Sequence, residues 1–106
     1  MMGAVETRRR LPNRRGHELF SFEHGGIYYT AGVGRFENGD VAEIFLHAHK
    51  HGTAVDVSAR DAAIAASLLL QHGCHVDTLR KALTRNSDGS ASGPLARALD
   101  LWAGGA

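Results

Sequence analysis

Three of the seven histidines fall at every second position of the segment Leu46–Gly52, which reads LHAHKHG. Alternate side chains of a β-strand point to the same face, so His47, His49 and His51 would lie side by side, roughly 6.5 to 7 Å apart. Neutral imidazole is a good zinc ligand, and two or three such rings can share one ion. The spacing allows a metal site, and it equally fits three exposed histidines at the end of a strand.

The next candidate site is the stretch KHGT, which comes directly before a predicted helix. Free N–H groups at a helix N-terminus attract anions, so Lys50, Gly52 and Thr53 are candidates for binding an anion or a nucleotide. The motif is weaker than a phosphate-binding loop, which has a further glycine at a fixed spacing. The alternative is that Thr53 or Asp56 is an ordinary helix cap, and the charge of Asp56 argues against a phosphate very close by.

Basic residues concentrate in the N-terminal segment, where residues 1–16 hold five arginines against a single acidic residue, Glu6. The rest of the chain is therefore net negative. An exposed basic arm can bind nucleic acid, an acidic protein or anionic lipid, or it can be a solvated flexible tail. The candidate partner-binding residues of this arm are Arg8, Arg9, Arg10, Arg14 and Arg15.

No arrangement of side chains indicates catalysis by this chain alone. Glu43, Asp56 and Asp61 are scattered candidates for acid–base chemistry without a recognisable constellation, so no catalytic residue and no cofactor are expected. The single cysteine, Cys74, excludes an intrachain disulfide. Because there is no signal-like apolar region and no membrane-spanning stretch, we expect a cytoplasmic protein that has no membrane partner.

The first half of the chain predicts three strands that would position these residues. Apolar residues alternate over Glu18–His24, Ile27–Phe36 and Val41–His47, which is typical of strands with one buried face. The two connecting turns are marked by Gly25-Gly26 and by Asn38-Gly39, since both residues of an Asn-Gly pair tolerate positive φ. The sequence therefore predicts an antiparallel meander.

The second half predicts helices. Val55 to His72 is rich in alanine and leucine, with Gly73 at the position of a left-handed C-cap. A shorter helix is predicted from about Asp77, as N-cap, to Thr84. A terminal amphipathic helix is predicted to begin at Pro94, because proline suits the first helical position.

The order of elements predicts an α+β fold, in which a three-stranded antiparallel β-meander is followed by two to three helices packed on one face of the sheet. A chain of 106 residues makes one small domain. We expect a basic arm at 1–16, the domain at 17–102 and a flexible tail at 103–106. The second sheet face is left uncovered, which favours a protein partner or a homodimer there.

Several motifs occur in one order along residues 8–100. They are RRRLPNRR (8–15), RFENGDVAEIFL (35–46), KHGT (50–53), ARDAAIAASLLLQHG (59–73) and LRKAL (79–83). Together they resemble the TSCPD-type domain, familiar as the C-terminal region of adenosylcobalamin-dependent (vitamin B12-dependent, class II) ribonucleotide reductases and as short stand-alone bacterial proteins. The matching positions are Arg10, Leu11, Pro12, Gly39, Glu43, Phe45, Lys50, Gly52, Thr53, Asp61, Ala62, Ser67, Leu68, Gln71 and Gly73.

The resemblance implies a stand-alone accessory or regulatory domain in deoxyribonucleotide metabolism, which binds a nucleotide or a protein such as a ribonucleotide reductase subunit. It does not extend to ribonucleoside-diphosphate reductase activity, because a complete reductase needs a large barrel that carries radical and redox cysteines. The TSCPD string itself is absent, and the corresponding region, 86–100, reads NSDGSASGPLARALD. The three histidines lie outside the family pattern. Nucleic-acid binding through the arm and metal binding through the histidines stay as alternatives.

Overall fold

The computed structural model describes Arg8, Arg9, Leu11 and residues 17–104. Most of the predicted arm and the last two residues of the predicted tail lie outside these residues. The elements are strands β1 (His17–His24), β2 (Ile27–Arg35) and β3 (Val41–Ala48), followed by helices α1 (Ala54–Gln71), α2 (Val76–Ala82) and α3 (Pro94–Trp102). The strands form one antiparallel sheet in the order β1-β2-β3. The predicted α+β fold is confirmed.

The two strand connections differ in their turn geometry. Gly25-Gly26 has positive φ at both residues, as a two-residue hairpin turn requires. In the second connection only Gly39 has positive φ. The reason is a wider turn: the Gly39 N–H donates to Phe36 O (2.9 Å), and the Phe36 N–H donates to Asp40 O (2.8 Å).

The core lies between one face of the sheet and the helices. Ile44 and Leu46 on β3 and Val33 on β2 are almost completely buried. Helix α1 faces them with small residues, which let its backbone approach the sheet closely, and Leu99 of α3 completes the cluster. The buried residues of α1 in this core are Ala59, Ala63, Ala66 and Leu70.

Backbone groups at the outer edge of β3 form hydrogen bonds with a side chain of α1. Strand β3 is the last strand of the sheet, so alternate backbone groups have no strand partner on that side. The hydroxyl of Ser67 accepts a hydrogen bond from the Ile44 N–H (2.9 Å) and donates one to the Ile44 carbonyl (3.0 Å). One serine therefore replaces both bonds that a further strand would make at this residue.

Two more side chains of α1 continue this pattern along the strand. The amide of Gln71 donates to the Ala42 carbonyl (3.1 Å), and the carboxylate of Asp56 accepts from the Ala48 N–H (3.0 Å). Both side chains are buried. Because a buried polar group without a partner is costly, these bonds fix the direction and the register of α1 against β3.

Helix α2 starts and ends earlier than predicted. Its N-cap is His75 and not Asp77, since the His75 Nδ1 accepts the Asp77 N–H (3.2 Å). The helix ends at Ala82 because Leu83 is extended (ψ 154°). Imidazole is not among the preferred capping side chains, which is why the sequence rule placed the cap two residues late.

Helix α3 is tied to α2 by one carboxylate. Asp100 accepts hydrogen bonds from Arg80 (3.1 Å) and from Arg85, and Arg85 also donates to the Arg80 carbonyl (2.9 Å). The bond from Arg85 is the main cause of a pKa of Asp100 below its ordinary value.

Among the described residues, no helix is long and apolar enough to cross a membrane.

Replacing Ser67 by alanine tests the role of the β3 edge. Ser67→Ala leaves both backbone groups of Ile44 without their partner, so we expect a loss of about 1–3 kcal/mol in the free energy of unfolding. Ser58→Ala is the matched control, because Ser58 lies exposed on the same helix. Urea denaturation measures both, and equal stability of the two variants would contradict this role.

Candidate functional site

The sheet face opposite the core carries a row of exposed apolar side chains. Cross-strand pairing aligns Leu19 of β1, Gly32 of β2 and Phe45 of β3 in one row. Leu19 is 72% exposed and Phe45 is 48% exposed. A Cβ atom at Gly32 would lie 2.8 Å from Leu19 Cδ2 and 3.6 Å from Phe45 Cδ2, so the two side chains meet above the glycine. We call this surface the bare face.

Beside the bare face, a groove runs between β3 and α1. Its apolar lining includes Phe45 together with Ile64 and Leu68, which are 58% and 41% exposed. The volume of the groove is about 420 Å³. We call it the β3–α1 groove.

Basic side chains lie at both ends of the β3–α1 groove. Arg60 lines the groove near the Ala48 end of β3, and Arg8 lines it near Gln71, with which it forms a side-chain hydrogen bond. An apolar floor between two guanidinium groups fits an apolar segment with acidic flanks.

A buried carboxylate lies under the same surface. Glu43 is 5% exposed, and its Oε2 lies 2.9 Å from His17 Nε2. The ring of His17 also makes an edge contact with Phe45, with centroids 5.0 Å apart. A Cβ atom at Gly34 would lie 2.6 Å from the Glu43 carboxylate, so this glycine makes room for the pair. The contacts hold Phe45 in place at the rim of the groove.

Of the three histidines predicted to lie side by side on a strand, only His47 lies in β3. Strand β3 ends at Ala48, so His51 lies in the following turn, yet its ring stacks on His47 at 5.7 Å between centroids. His49 Nε2 is 2.7 Å from the hydroxyl of Thr30. Within the part of the chain that the structure describes, no group of three or more His, Cys, Asp or Glu side chains has an arrangement that could hold a metal.

At the predicted anion site, the start of α1 is capped by a side chain of the same chain. The Thr53 hydroxyl donates to the Lys50 carbonyl (2.6 Å) and accepts from the Asp56 N–H (3.2 Å), so Thr53 is the N-cap. Lys50 and Gly52 are exposed beside it. Nucleotide binding through Lys50, Gly52 and Thr53 stays a prediction.

Two arginines of the basic arm contact the body of the domain. The Arg9 N–H donates to the Gln71 carbonyl (2.8 Å), and its guanidinium lies 3.8 Å from the centre of the Phe36 ring. With Arg8 also on Gln71, these cations lie at the C-terminus of α1, where the helix dipole favours positive charge. Arg10, Arg14 and Arg15 lie outside the described residues.

Sequence reasoning missed Ile64 and the groove it lines. A signal was present in the run Leu68-Leu69-Leu70, because three successive residues of a helix cannot all face the core. Only Leu70 is buried, whereas Leu68 lines the groove and Leu69 is exposed on another side of the helix. Five of the positions on which the predicted family resemblance rests line this groove. They are Glu43, Phe45, Ser67, Leu68 and Gln71.

Comparison with known proteins gives two informative relatives. The chain is 36% identical over 77 residues to the vitamin B12-dependent ribonucleotide reductase of Agrobacterium fabrum, and 34% identical over 80 residues to that of Bradyrhizobium diazoefficiens. These matches cover 73% and 76% of this chain, but it spans only 6% of the length of each relative. No protein-family profile and no solved structure matches. The chain is therefore related to a segment of vitamin B12-dependent ribonucleotide reductases.

The pH dependence of stability tests the role of Asp56. Burial raises the pKa of its carboxyl, but hydrogen bonds from the Ala48 N–H and Arg60 outweigh this and hold it below the ordinary value of 3.8. The carboxylate therefore stabilises the fold above that value, and the contribution is lost as pH falls through the lower folded-state pKa. We expect Asp56→Asn to be less stable than the native chain at neutral pH, with a difference that shrinks below pH 3.8.

Chemical denaturation at a series of pH values measures this difference. Asp61→Asn is the matched control, because Asp61 is exposed on the same helix. A deficit of Asp56→Asn that is constant from neutral to acid pH would show that its charge does not matter.

Proposed function

We propose that this chain is a TSCPD-type accessory domain of deoxyribonucleotide metabolism, which binds a ribonucleotide reductase through the β3–α1 groove. The observation that supports this most is the coincidence of two features at one place. The chain is similar to a small segment of two much longer vitamin B12-dependent reductases, and positions of the resemblance line a groove with an exposed apolar floor.

The physical character of the groove supports a protein as the ligand. Phe45, Ile64 and Leu68 expose apolar surface on neighbouring elements, and contiguous apolar surface of this kind marks interaction sites. Aromatic and aliphatic anchors at the centre of an interface carry most of its binding energy. The guanidinium groups of Arg8 and Arg60 bond Gln71 and Asp56 within the chain, and their remaining N–H groups favour acidic flanks on the bound segment.

In the relatives, the matching segment is part of a much longer reductase chain, so the rest of that enzyme is available for it to contact. If the same surface is used in a separate chain, the contact becomes intermolecular. The chain would then regulate or complete a reductase without catalysing the reaction itself. This role is compatible with its single cysteine.

A charge placed in the groove tests the proposal. Ile64→Asp puts a carboxylate on the apolar floor, and because Ile64 is exposed the fold is retained. We expect tagged native chain to recover a ribonucleotide reductase subunit from an extract of its host, identified by mass spectrometry. With the purified subunit, Ile64→Asp should weaken binding by about tenfold or more, as expected for an interface anchor.

Leu69→Asp is the matched control, since Leu69 is half-exposed on the same helix but outside the groove. It should bind as the native chain does. Equal loss of binding in both variants would argue against the groove. Absence of any reductase subunit among the proteins recovered by the native chain would contradict the proposed partner.

A further inference from the structure

At the other edge of the sheet, no further strand among the described residues pairs with β1. In an antiparallel ladder, the backbone groups of a strand point alternately to its two sides. The His49 N–H donates to the Tyr28 carbonyl (2.9 Å), so Tyr28 faces β3, and its neighbour Tyr29 faces β1 and bonds its partner Phe22. Alternation along β1 then leaves four residues with outward-pointing backbone groups. They are His17, Leu19, Ser21 and Glu23.

Nothing in the described part of the chain bonds these outward groups, in contrast to the β3 edge, where α1 does so. Natural edge strands are usually protected by proline, charged side chains, a bulge or a covering element, and of these β1 carries the exposed Glu18 and Glu23. Strand β1 reads HELFSFEH, is paired to β2 without a register shift over all eight residues, and exposes five of its side chains. It is therefore a ready template for another strand.

We propose that β1 pairs antiparallel with β1 of a second copy of this chain, so that two three-stranded sheets join into one of six strands. A two-fold axis through Ser21 gives a register that satisfies both copies. It places Phe20 opposite Phe22 and Glu18 opposite His24 of the second copy. Glu18 and His24 already have partners within the chain, which are Arg35 and the Ser92 carbonyl. Aromatic pairs such as Phe20 and Phe22 are favourable cross-strand neighbours, and a two-fold interface requires this kind of self-complementarity.

The proposal uses a different surface from the β3–α1 groove and does not depend on the proposed function. Strand β1 and the groove lie at opposite edges of the sheet. A dimer formed at β1 leaves the groove of each copy accessible. Failure of the reductase interaction would leave this inference unchanged.

A charge-swap experiment at Ser21 tests both the dimer and its register. The Ser21 side chain is exposed, and its replacement keeps the backbone N–H. In Ser21→Lys or Ser21→Glu, two like charges would face each other across the axis, so each variant alone should be monomeric at low ionic strength. An equimolar mixture should form a heterodimer, because opposite charges then face each other. Sedimentation velocity measures the three samples.

Ser87→Lys and Ser87→Glu are matched controls in an exposed loop, and both should dimerise like the native chain. A native chain that is monomeric across a dilution series overturns the proposal. A mixture of the Ser21 variants that stays monomeric also overturns the proposal, because the proposed register places their opposite charges directly across from each other.

Two further variants separate pairing at the edge from stacking of the bare face. Ser21→Pro removes an outward-pointing N–H and the hydroxyl that contacts Thr30, but it keeps the backbone bonds of β1 to β2. It should therefore be folded by circular dichroism and monomeric. Phe45→Ser changes the bare face and should remain a dimer. Dissociation of Phe45→Ser, with Ser21→Pro still dimeric, would assign the contact to the bare face and overturn pairing at β1.

Discussion

The hydrogen bonds from one helix to the free edge of β3 are the constraint on which the rest of the structure depends. Asp56, Ser67 and Gln71 lie on one side of α1 and bond backbone groups of β3 that a further strand would otherwise take. Apolar packing alone allows a helix to slide or rotate on a sheet, whereas these bonds allow one register. The alanines that approach the core and the residues that line the groove are positioned as a result.

This arrangement also explains why one face of the sheet is bare. A helix that crossed the outer face would bury Leu19 and Phe45, but α1 is held at the edge, and α2 and α3 follow it to the core side. The groove is the space left between the edge-bound helix and the uncovered face. Its apolar floor is thus a direct product of how the β3 edge is satisfied, and two of the polar residues that fix the helix, Ser67 and Gln71, also lie along its wall.

Much of the fold could be predicted from local patterns. Alternating apolar residues gave three strands, and the apolar period of 3.6 gave three helices, because these signals depend only on neighbouring residues. The cap of α2 was missed since His75 serves in place of an ordinary capping residue. The turn at Asn38-Gly39 was found, but its conformation depends on the wider loop around it.

The site was less predictable, because it depends on contacts between distant residues. Polar residues such as Ser67 and Gln71 inside a helical pattern give no local indication that they bond a strand 23 and 29 residues earlier. The KHGT stretch carries two local signals at once, for an anion site and for a helix cap. The structure shows the cap made by Thr53, while nucleotide binding through Lys50, Gly52 and Thr53 stays a prediction.

The closed β3 edge has a further consequence for assembly. A sheet with two open edges can add copies on both sides and so grow into a fibre. Here α1 occupies one side, and any strand that joins must do so at the other. Addition of one identical partner then uses the last open edge of both sheets. The polar side chains of a single helix thus block the addition of further strands at β3, so the largest continuous sheet has six strands.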